Sequence, residues 1–236
     1  MNISVIIPAH NEELYVGPCI ESILAGKTPD LREIIVVDNA STDRTADVAG
    51  RHPMVRVVRE WKKGITHARE AGRKAATGEI LAYVDADSRV PKDWLAMIEK
   101  GFRENPRLVC LSGPCEYYDF PAWKNRIVRL YWNVARPLNM MTGAMVLGSN
   151  FAARKEALET IGGFDTSIAF YGEDTNIARR LKKQGEVRFV QRFRVASSAR
   201  RFRSQGLVAT GTVYALNFLS ESFLHRPATR TYRDIR

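Results

Sequence analysis

The chain has 236 residues, 45% of them hydrophobic and 26% charged, which is enough apolar sequence to bury one sizeable core. This composition excludes a disordered or fibrous protein. The three cysteines lack metal-type spacing, so we expect free thiols in a reducing compartment. No apolar stretch reaches the ~18 residues that a membrane-spanning helix needs and no basic leader precedes the first strand, so we expect a cytoplasmic protein.

The net charge of +10 is concentrated at one end of the sequence. Residues 179–236 hold 14 Lys and Arg against three acidic residues, a net charge of +11, whereas residues 1–178 have a net charge of −1. This asymmetry predicts an anionic partner for the C-terminal end, either a membrane surface or a nucleic acid.

The first hundred residues alternate short strands rich in Val and Ile with helical patterns. The predicted strands are Ile3–Ile7, Glu33–Asp38, Val55–Val58 and Ile80–Asp85, and the predicted helices are Glu12–Ala25, Asp43–Ala49 and Thr66–Ala76. This order predicts an α/β fold, a single Rossmann-like domain with a mostly parallel central sheet and right-handed crossovers.

After residue 87 the alternation becomes less regular. Helices are expected at Pro91–Asn105, Pro121–Arg136, Glu156–Ile161, Asp174–Gln184 and Leu207–Leu224. Strands are expected at Leu108–Ser112, Met145–Ala152, Val187–Val190 and Arg194–Ala196. We therefore expect one domain over residues 1–200, followed by a basic amphipathic helical extension over residues 201–236.

Polar residues follow directly after three of the predicted strands. Residues 8–13 follow the first strand, residues 38–43 the second and residues 85–87 the fourth. Because ligands bind beyond the carboxyl ends of parallel strands, we expect these segments to meet in one cleft. Asp85 and Asp87 suit Mg²⁺ or Mn²⁺ held together with a diphosphate, although Asp is also common in the turns that follow strands.

Several segments resemble family-two glycosyltransferases. They are Ser4–Glu13, Val36–Thr45, Ala75–Asp87, Gly162–Asp165 and Gly172–Asp174. The resemblance extends in order over most of residues 2–185. It implies the A-type glycosyltransferase fold and the transfer of a sugar, with inversion, from a nucleotide sugar to an acceptor hydroxyl. The expected nucleoside of that donor is uridine. It also implies that residues 1–112 bind the nucleotide sugar and residues 113–200 the acceptor.

The resemblance assigns a role to each matching position. The donor-side residues are Pro8, Ala9, Glu12, Asp38, Arg69, Asp85 and Ala86, and the acceptor-side residues are Gly163, Phe164 and Glu173. Asp38 would accept a hydrogen bond from the base, Asp85 would face the ribose and Asp87 would bind the metal ion. For Arg69, a solvated position on its helix is an equally good interpretation.

The resemblance makes Asp174 the base that takes the proton of the acceptor hydroxyl. Asp174 begins a predicted helix rich in Lys and Arg, where the helix end and the cations favour the ionised carboxylate. Capping of that helix is the alternative interpretation of the same residue.

The sequence departs from the processive members of that family. They have a Gln-x-x-Arg-Trp segment beyond the base, whereas Gln191–Arg194 and Ser198–Phe202 lack the Trp. We therefore expect a non-processive enzyme of cell-envelope glycan or glycolipid synthesis. Arg200 and Arg201 either reach the diphosphate or belong to a solvated basic face.

Other functions and partners stay open at this point. A haloacid-dehalogenase-type phosphatase would use Asp85 as its nucleophile, although that residue normally follows an N-terminal strand. A nucleotidyltransferase would have a Gly-rich opening loop, which residues 8–13 lack. A nucleic-acid-binding or other anion-binding protein would use the basic C-terminal end, but aromatic residues are not interleaved with its cations, so no nucleic acid is expected. Leu207–Leu224 would lie on an anionic membrane at its inner face, pack on the sheet or form a homodimer.

Overall fold

The computed structural model describes residues 1–142, 145–168, 172–224 and 228–229. The strands are β1 Ile3–Ala9, β2 Leu31–Asp38, β3 Val55–Arg59, β4 Ile80–Val84, β5 Ser88–Arg89, β6 Leu108–Ser112, β7 Cys115–Tyr117, β8 Asn150–Arg154, β9 Glu186–Phe189 and β10 Val195–Ser197. The helices are α1 Val16–Ala25, α2 Thr45–Gly50, α3 Ile65–Ala75, α4 Trp94–Glu104, α5 Ala122–Thr142, α6 Lys155–Thr160, α7 Glu173–Lys182, α8 Arg200–Gln205 and α9 Leu207–Leu224.

A seven-stranded sheet in the order β3-β2-β1-β4-β8-β6-β9 forms the centre of the fold. Its strands are parallel except β8, which runs antiparallel to β4 and β6. Every residue of β1 and of β4 is buried, as expected for strands covered on both faces. The predicted α/β class and mostly parallel sheet are confirmed.

A second, three-stranded sheet in the order β5-β10-β7 was not predicted. Strand β10 corresponds to the predicted strand at Arg194–Ala196, whereas β5 and β7, with two and three residues, are too short to show an alternating pattern in the sequence. In this sheet β10 pairs with β5 immediately after Asp87, and the backbone N–H of Ser198 donates to the Asp87 carbonyl at 3.2 Å. The sheet therefore brings the start of the C-terminal quarter to the end of β4.

Several predicted boundaries were wrong. Helix α1 begins at Val16 rather than Glu12, and the Val16 N–H donates to the Glu12 carbonyl at 2.9 Å. Strand β8 begins at Asn150 rather than Met145, because residues 147–150 form a turn. Helix α5 continues beyond Arg136 to Thr142, since a proline removes a helical hydrogen bond without always ending the helix.

Helix α9 packs against α7 through polar side chains. Glu221 is fully buried, and its carboxylate accepts from Asn176 Nδ2 at 3.1 Å and lies 3.6 Å from Arg179 Nη2. Asn217 is also buried, whereas Leu216 is 52% exposed. The structure therefore favours the packing interpretation for this helix, with a polar face inward.

The remainder of the predicted extension is only partly described. Its arginines at 226, 230, 233 and 236 lie outside the described residues. Helix α8 crosses the expected boundary between residues 200 and 201. Within the described ranges, no helix combines the length and the apolar composition that crossing a bilayer requires.

Candidate active site at the carboxyl ends of the strands

The loops after β1 and β2 hold each other at one edge of the sheet. Asn11 and Ala40 both adopt left-handed backbone conformations, with φ of 52° and 56°. The Asn11 side-chain oxygen accepts from the Thr42 N–H at 2.8 Å, and the Glu13 N–H donates to Asp43 Oδ2 at 3.0 Å. The first two polar segments therefore lie side by side, as the sequence predicts.

Asn39 connects these loops to the one that follows β3. Its Nδ2 donates to the carbonyls of Glu60 at 3.0 Å and Lys62 at 2.8 Å, and its Oδ1 accepts from the Gly64 N–H at 2.8 Å. Gly64 immediately precedes α3, so Asn39 fixes the start of the helix that contains Arg69. Sequence reasoning gave Asn39 no role, although its place in a strand-end motif was a signal.

Four of the donor-side positions are buried in this edge of the sheet. Pro8 and Ala9 are the last residues of β1, and Ala86 is 2% exposed in the apolar core. Asp38 is 8% exposed, and its Oδ1 accepts from the Ser41 N–H at 3.2 Å. Asp38 thus ends β2 with one carboxylate oxygen engaged by its own turn.

Arg69 joins the donor side of the cleft to the acceptor side. The residue is 2% exposed, its Nη1 donates to Glu173 Oε1 at 2.9 Å, and its Nη2 lies 3.4 Å from Asp85 Oδ1. The solvated interpretation of Arg69 is therefore wrong. A buried guanidinium between two carboxylates sets the distance between β4 and α7.

Gly148 closes tightly over this arrangement. A Cβ atom at residue 148 would lie 2.8 Å and 2.9 Å from the two terminal nitrogens of Arg69, and 3.0 Å from Glu173 Oε1. Any side chain would therefore push against the ion pair. The sequence analysis missed Gly148, which no motif marks.

Arg200 lies within the cleft, between two acidic residues far away in the sequence. Its Nη2 is 3.0 Å from Asp87 Oδ2 and also donates to Glu12 Oε1, and its guanidinium lies 4.8 Å from the centroid of the Tyr15 ring. Burial alone would lower the pKa of Arg200, but the Glu12 hydrogen bond and the charge of Asp87 raise it. The solvated-face interpretation of Arg200 is therefore wrong, and Glu12, 1% exposed, is its buried partner.

Asp85 and Asp87 fit a divalent ion that is shared with a phosphate ligand. Their oxygens are hard donors, and the guanidinium of Arg200 shows that a cation is accommodated beside Asp87. Among the described residues, no cluster of three or more His, Cys, Asp or Glu side chains could hold an ion by itself. Oxygens of a bound diphosphate would have to complete the coordination.

Asp174 is the second residue of α7 and is not its N-cap. The N-cap is Gly172, in a left-handed conformation with φ of 88°, and the Asp174 Oδ1 accepts from the adjacent Thr175 N–H at 2.8 Å. Asp174 is therefore not the N-cap, but its carboxylate does accept a backbone N–H of the first turn of α7.

Burial raises the pKa of Asp174 and, together with the charge of Asp174, raises that of Glu173 to about 7. The sequence had predicted the opposite direction for Asp174. Desolvation outweighs both the helix end and the cation of Arg69, because the carboxyl group is enclosed by protein. The two neighbouring carboxylates are thereby made more basic than exposed ones.

Gly163 and Phe164 lie beneath the cleft and support α3. Gly163 has a φ of 74°, and the Phe164 N–H donates to Glu70 Oε2 at 3.2 Å. The Phe164 ring is 6% exposed and packs edge-on against Tyr83, with centroids 5.3 Å apart. Of the three acceptor-side positions, Glu173 alone lies beside Asp174.

The sequence and the fold were compared with known proteins. The model of the family "Glycosyl transferase family 2" matches residues 4–162. Glucosyl-dolichyl phosphate glucuronosyltransferase of Haloferax volcanii is 26% identical over 188 residues, which are 73% of this chain and 59% of that protein. The chain spans a smaller share of several other curated relatives, 35% and 26% in two of them.

Solved structures share the fold over nearly the whole chain. The mannosyltransferase PcManGT of Pyrobaculum calidifontis, in complex with GDP-Man and Mn²⁺, superposes with a TM-score of 0.74 at 24% identity and covers 95% of this chain and 63% of that one. Glucosyl-3-phosphoglycerate synthase of Mycobacterium tuberculosis, in complex with Mn²⁺, UDP and phosphoglyceric acid, superposes with a TM-score of 0.66 at 20% identity, covering 95% and 78%. With its family model matched over more than half of its length, the chain belongs to glycosyl transferase family 2 and has the A-type glycosyltransferase fold.

Proposed function

We propose that this chain transfers a sugar from a nucleoside diphosphate sugar to an acceptor hydroxyl, with inversion at the sugar carbon and without processivity. One observation carries the proposal: Arg69 is bonded to Asp85 on one side and to Glu173 on the other. This ion-pair bridge sets the polar strand ends opposite the pair Glu173 and Asp174. A donor between them would have its leaving group on one side and a base on the other, as inversion requires.

Residues 1–112 would bind the donor in this proposal. Pro8, Ala9 and Ala86 would form the apolar floor beneath the nucleoside, and Asp38 would accept a hydrogen bond from a base N–H, which uracil offers. Asp85 would face the ribose, and Asp87 would be the main protein ligand of a Mn²⁺ or Mg²⁺ ion. When bound, that ion would supply positive charge to the diphosphate leaving group.

Arg200 would share that task from the protein side. Its guanidinium already lies against Asp87, and the acidic partners that raise its pKa favour the charged form. A bidentate donor suits a diphosphate oxygen pair, so the side chain can turn from Asp87 toward the leaving group.

Residues 113–200 would bind the acceptor, and Asp174 would take the proton of the acceptor hydroxyl. Burial raises the pKa of Asp174, and a raised pKa makes its ionised carboxylate a stronger base, which favours general base catalysis. Glu173 would keep Arg69 in place and would orient the acceptor beside Asp174.

We further propose a role in cell-envelope glycan or glycolipid synthesis at the inner face of a membrane, with a glycan or lipid-linked acceptor. The support is the relative in Haloferax volcanii, whose name specifies an acceptor linked to dolichyl phosphate. The excess of positive charge in residues 179–236 also suits an anionic surface.

A donor screen with two variants tests the proposed function. Thermal stabilisation and release of nucleoside diphosphate would be measured with UDP-glucose, UDP-glucuronate, UDP-N-acetylglucosamine and GDP-mannose, with and without Mn²⁺. We expect one donor to stabilise the protein only when Mn²⁺ is present. Asp87→Ala should abolish that stabilisation, whereas Asp174→Asn should keep it and lower turnover by about 10²–10⁴-fold.

Asp47→Ala is the matched control, because Asp47 is an exposed carboxylate of α2 outside the cleft. It should behave as the unchanged protein in both measurements. Metal-dependent donor binding that survives Asp87→Ala would remove the metal assignment. An Asp174→Asn protein that keeps most of its turnover would remove the base.

A further inference from the structure

Helix α5 turns an apolar face toward the solvent. Trp123, Ile127, Leu130 and Tyr131 are 58%, 49%, 63% and 50% exposed. Spacings of four, three and one residues place all four side chains on one side of a helix. We call these four residues the α5 stripe. A contiguous set of exposed large apolar side chains is typical of an interaction surface rather than of ordinary protein surface.

The other side of α5 is attached to the domain, which fixes the direction of the stripe. Asn125 Nδ2 donates to the Tyr117 carbonyl at 2.8 Å, and Asn125 Oδ1 accepts from the Tyr117 N–H at 3.0 Å. Trp132 Nε1 donates to the Cys115 carbonyl at 3.1 Å. These bonds hold the helix on the edge of the small sheet, so the stripe cannot turn inward without breaking them.

The charges of α5 indicate the chemistry of the partner. Residues 122–142 include Lys124, Arg126, Arg129 and Arg136 and no acidic residue, although Arg129 is paired with Glu116 of β7, with Nη2 and Oε2 2.8 Å apart. Arg126 is exposed, and at 100° per residue Arg126 and Lys124 lie on the two sides of the stripe. An apolar face flanked by cations is the pattern of a helix that lies in the interface of an anionic bilayer.

The stripe lies near the cleft, because α5 is bonded to the small sheet. Trp132 Nε1 donates to the carbonyl of Cys115 in β7, β7 pairs with β10, and β10 pairs with β5, which begins directly after Asp87. A surface bound along the stripe would therefore lie beside the cleft.

We propose that the α5 stripe rests on the surface of an anionic lipid bilayer, so that an acceptor carried by that bilayer is presented beside the cleft. The bilayer contact stands on α5 alone, and only the delivery of an acceptor rests on the proposed function. A second copy of the chain is a poorer occupant, because two copies of α5 would bring like charges together. Helix α9 is a poorer membrane face than α5, because the side chains it buries include Asn217 and Glu221.

Co-sedimentation of the full chain with vesicles tests this inference. The vesicles would contain equal parts of phosphatidylglycerol and phosphatidylcholine, with pure phosphatidylcholine for comparison. We expect binding to the anionic vesicles that weakens as the salt concentration rises. The double variant Ile127→Asp, Leu130→Asp should weaken it by at least about tenfold, since both side chains enter the interface and both changes add negative charge.

Leu216→Asp is the matched control, because Leu216 is an exposed leucine on another helix, 52% exposed compared with 63% for Leu130. It should bind the vesicles as the unchanged chain does. Loss of binding in this control, or full binding by the double variant, would overturn the assignment to α5. Sedimentation that needs no vesicles, with a dimer that the double variant abolishes, would show that a second copy covers the stripe instead.

The donor screen separates this inference from the proposed function. The double variant should keep the Mn²⁺-dependent stabilisation by donor, because the stripe lies outside the donor side of the cleft. Failure of vesicle binding with intact donor binding would remove only the membrane contact. Vesicle binding without any donor binding would remove only the proposed activity.

Discussion

At the scale of single residues, two arginines hold four carboxylates of the candidate site. Arg69 contacts Asp85 and Glu173, and Arg200 contacts Asp87 and Glu12. Each carboxylate therefore has a buried positive partner before any donor or metal ion arrives. Such pairs cost desolvation, and they are retained here where the proposed leaving group and acceptor meet.

The raised pKa values of the adjacent carboxylates predict the pH dependence of transfer. To act as the proposed base Asp174 must be ionised, so the rate should fall as the pH drops through its pKa, which burial raises above the ordinary value of about 4. Burial and the charge of Asp174 raise the pKa of Glu173 to about 7, so Glu173 takes up its proton first as the pH falls, and Glu173→Gln should leave this acid limb in place. The measurement is the dependence of kcat/KM on pH.

An acid limb near pH 4 in the unchanged enzyme would show that burial does not raise the pKa of Asp174. An acid limb that moves to lower pH in Glu173→Gln would show that Glu173 is still ionised when Asp174 titrates. Glu13→Gln is a suitable control, since Glu13 is a partly exposed carboxylate in the loop after β1. It should leave the limb unchanged.

At the scale of elements, the site is held by short connections rather than by the large sheet. The loops after β1, β2 and β3 are linked through Asn11 and Asn39, and the small sheet brings Ser198 to Asp87. The segment before β8 places Gly148 against Arg69. Because these contacts join different strand ends, a substitution in one connection should displace residues on the other side of the cleft.

Gly148→Ala tests how tightly that segment closes. The added Cβ would lie within 3.0 Å of Arg69 and Glu173, so we expect the free energy of unfolding to fall by about 1–3 kcal/mol. Metal-dependent donor binding should weaken as well, because Arg69 also holds Asp85. Urea unfolding and calorimetric titration with donor would measure the two effects.

Gly101→Ala is the control for this change. Gly101 lies inside α4, where an added Cβ would make ordinary contacts of 3.4 Å and 3.5 Å with leucine side chains. Alanine should be neutral or stabilise the helix there by up to about 1 kcal/mol. Equal stability of Gly148→Ala and the unchanged protein would mean that Arg69 has room to move.

At the scale of the whole molecule, the basic C-terminal quarter neutralises acidic groups of the rest of the chain. Arg200 pairs with Glu12, 188 residues away, and Arg194 pairs with Glu116 at 2.6 Å. Arg203 lies 3.2 Å from Asp119. Part of the charge asymmetry is therefore used inside the fold.

Arg200→Ala tests whether this long-range pairing stabilises the fold. Removing the cation leaves the carboxylate of Glu12 buried, which should cost about 3 kcal/mol of the free energy of unfolding at neutral pH. Mn²⁺ should bind the donor-free protein more tightly, because Asp87 loses a competing cation. Thermal unfolding and a calorimetric Mn²⁺ titration would measure both.

Arg203→Ala is the matched control one turn further along α8. Arg203 is 58% exposed at the side chain, so its pair with Asp119 should contribute little, less than about 1 kcal/mol. An Arg200→Ala protein as stable as Arg203→Ala would show that Glu12 does not depend on Arg200.

The sequence by itself determined the sheet and the edge at which the site lies. Val and Ile runs of five to eight residues fix the long strands, because strands buried on both faces leave an almost unbroken apolar pattern. Motifs directly after those strands predicted that Asp38, Asp85 and Asp87 would share one edge, which follows from parallel strand direction alone. The family resemblance could also be recognised from the sequence, because its motifs are short contiguous segments. The match of the family model confirms it.

Only the tertiary structure decided which charges meet. Arg69, Arg200 and Gly148 had no distinguishing local pattern, and their roles arise from contacts with residues 16 to 188 positions away. The direction in which the pKa of Asp174 shifts also depended on burial, which the position of the residue at a helix end does not predict. Likewise, the sequence predicted the helices α5 and α9, but packing decides which face of each helix points inward. Polar contacts hold α9 against α7 and anchor α5 by its far side, and so the stripe of α5 is left facing the solvent.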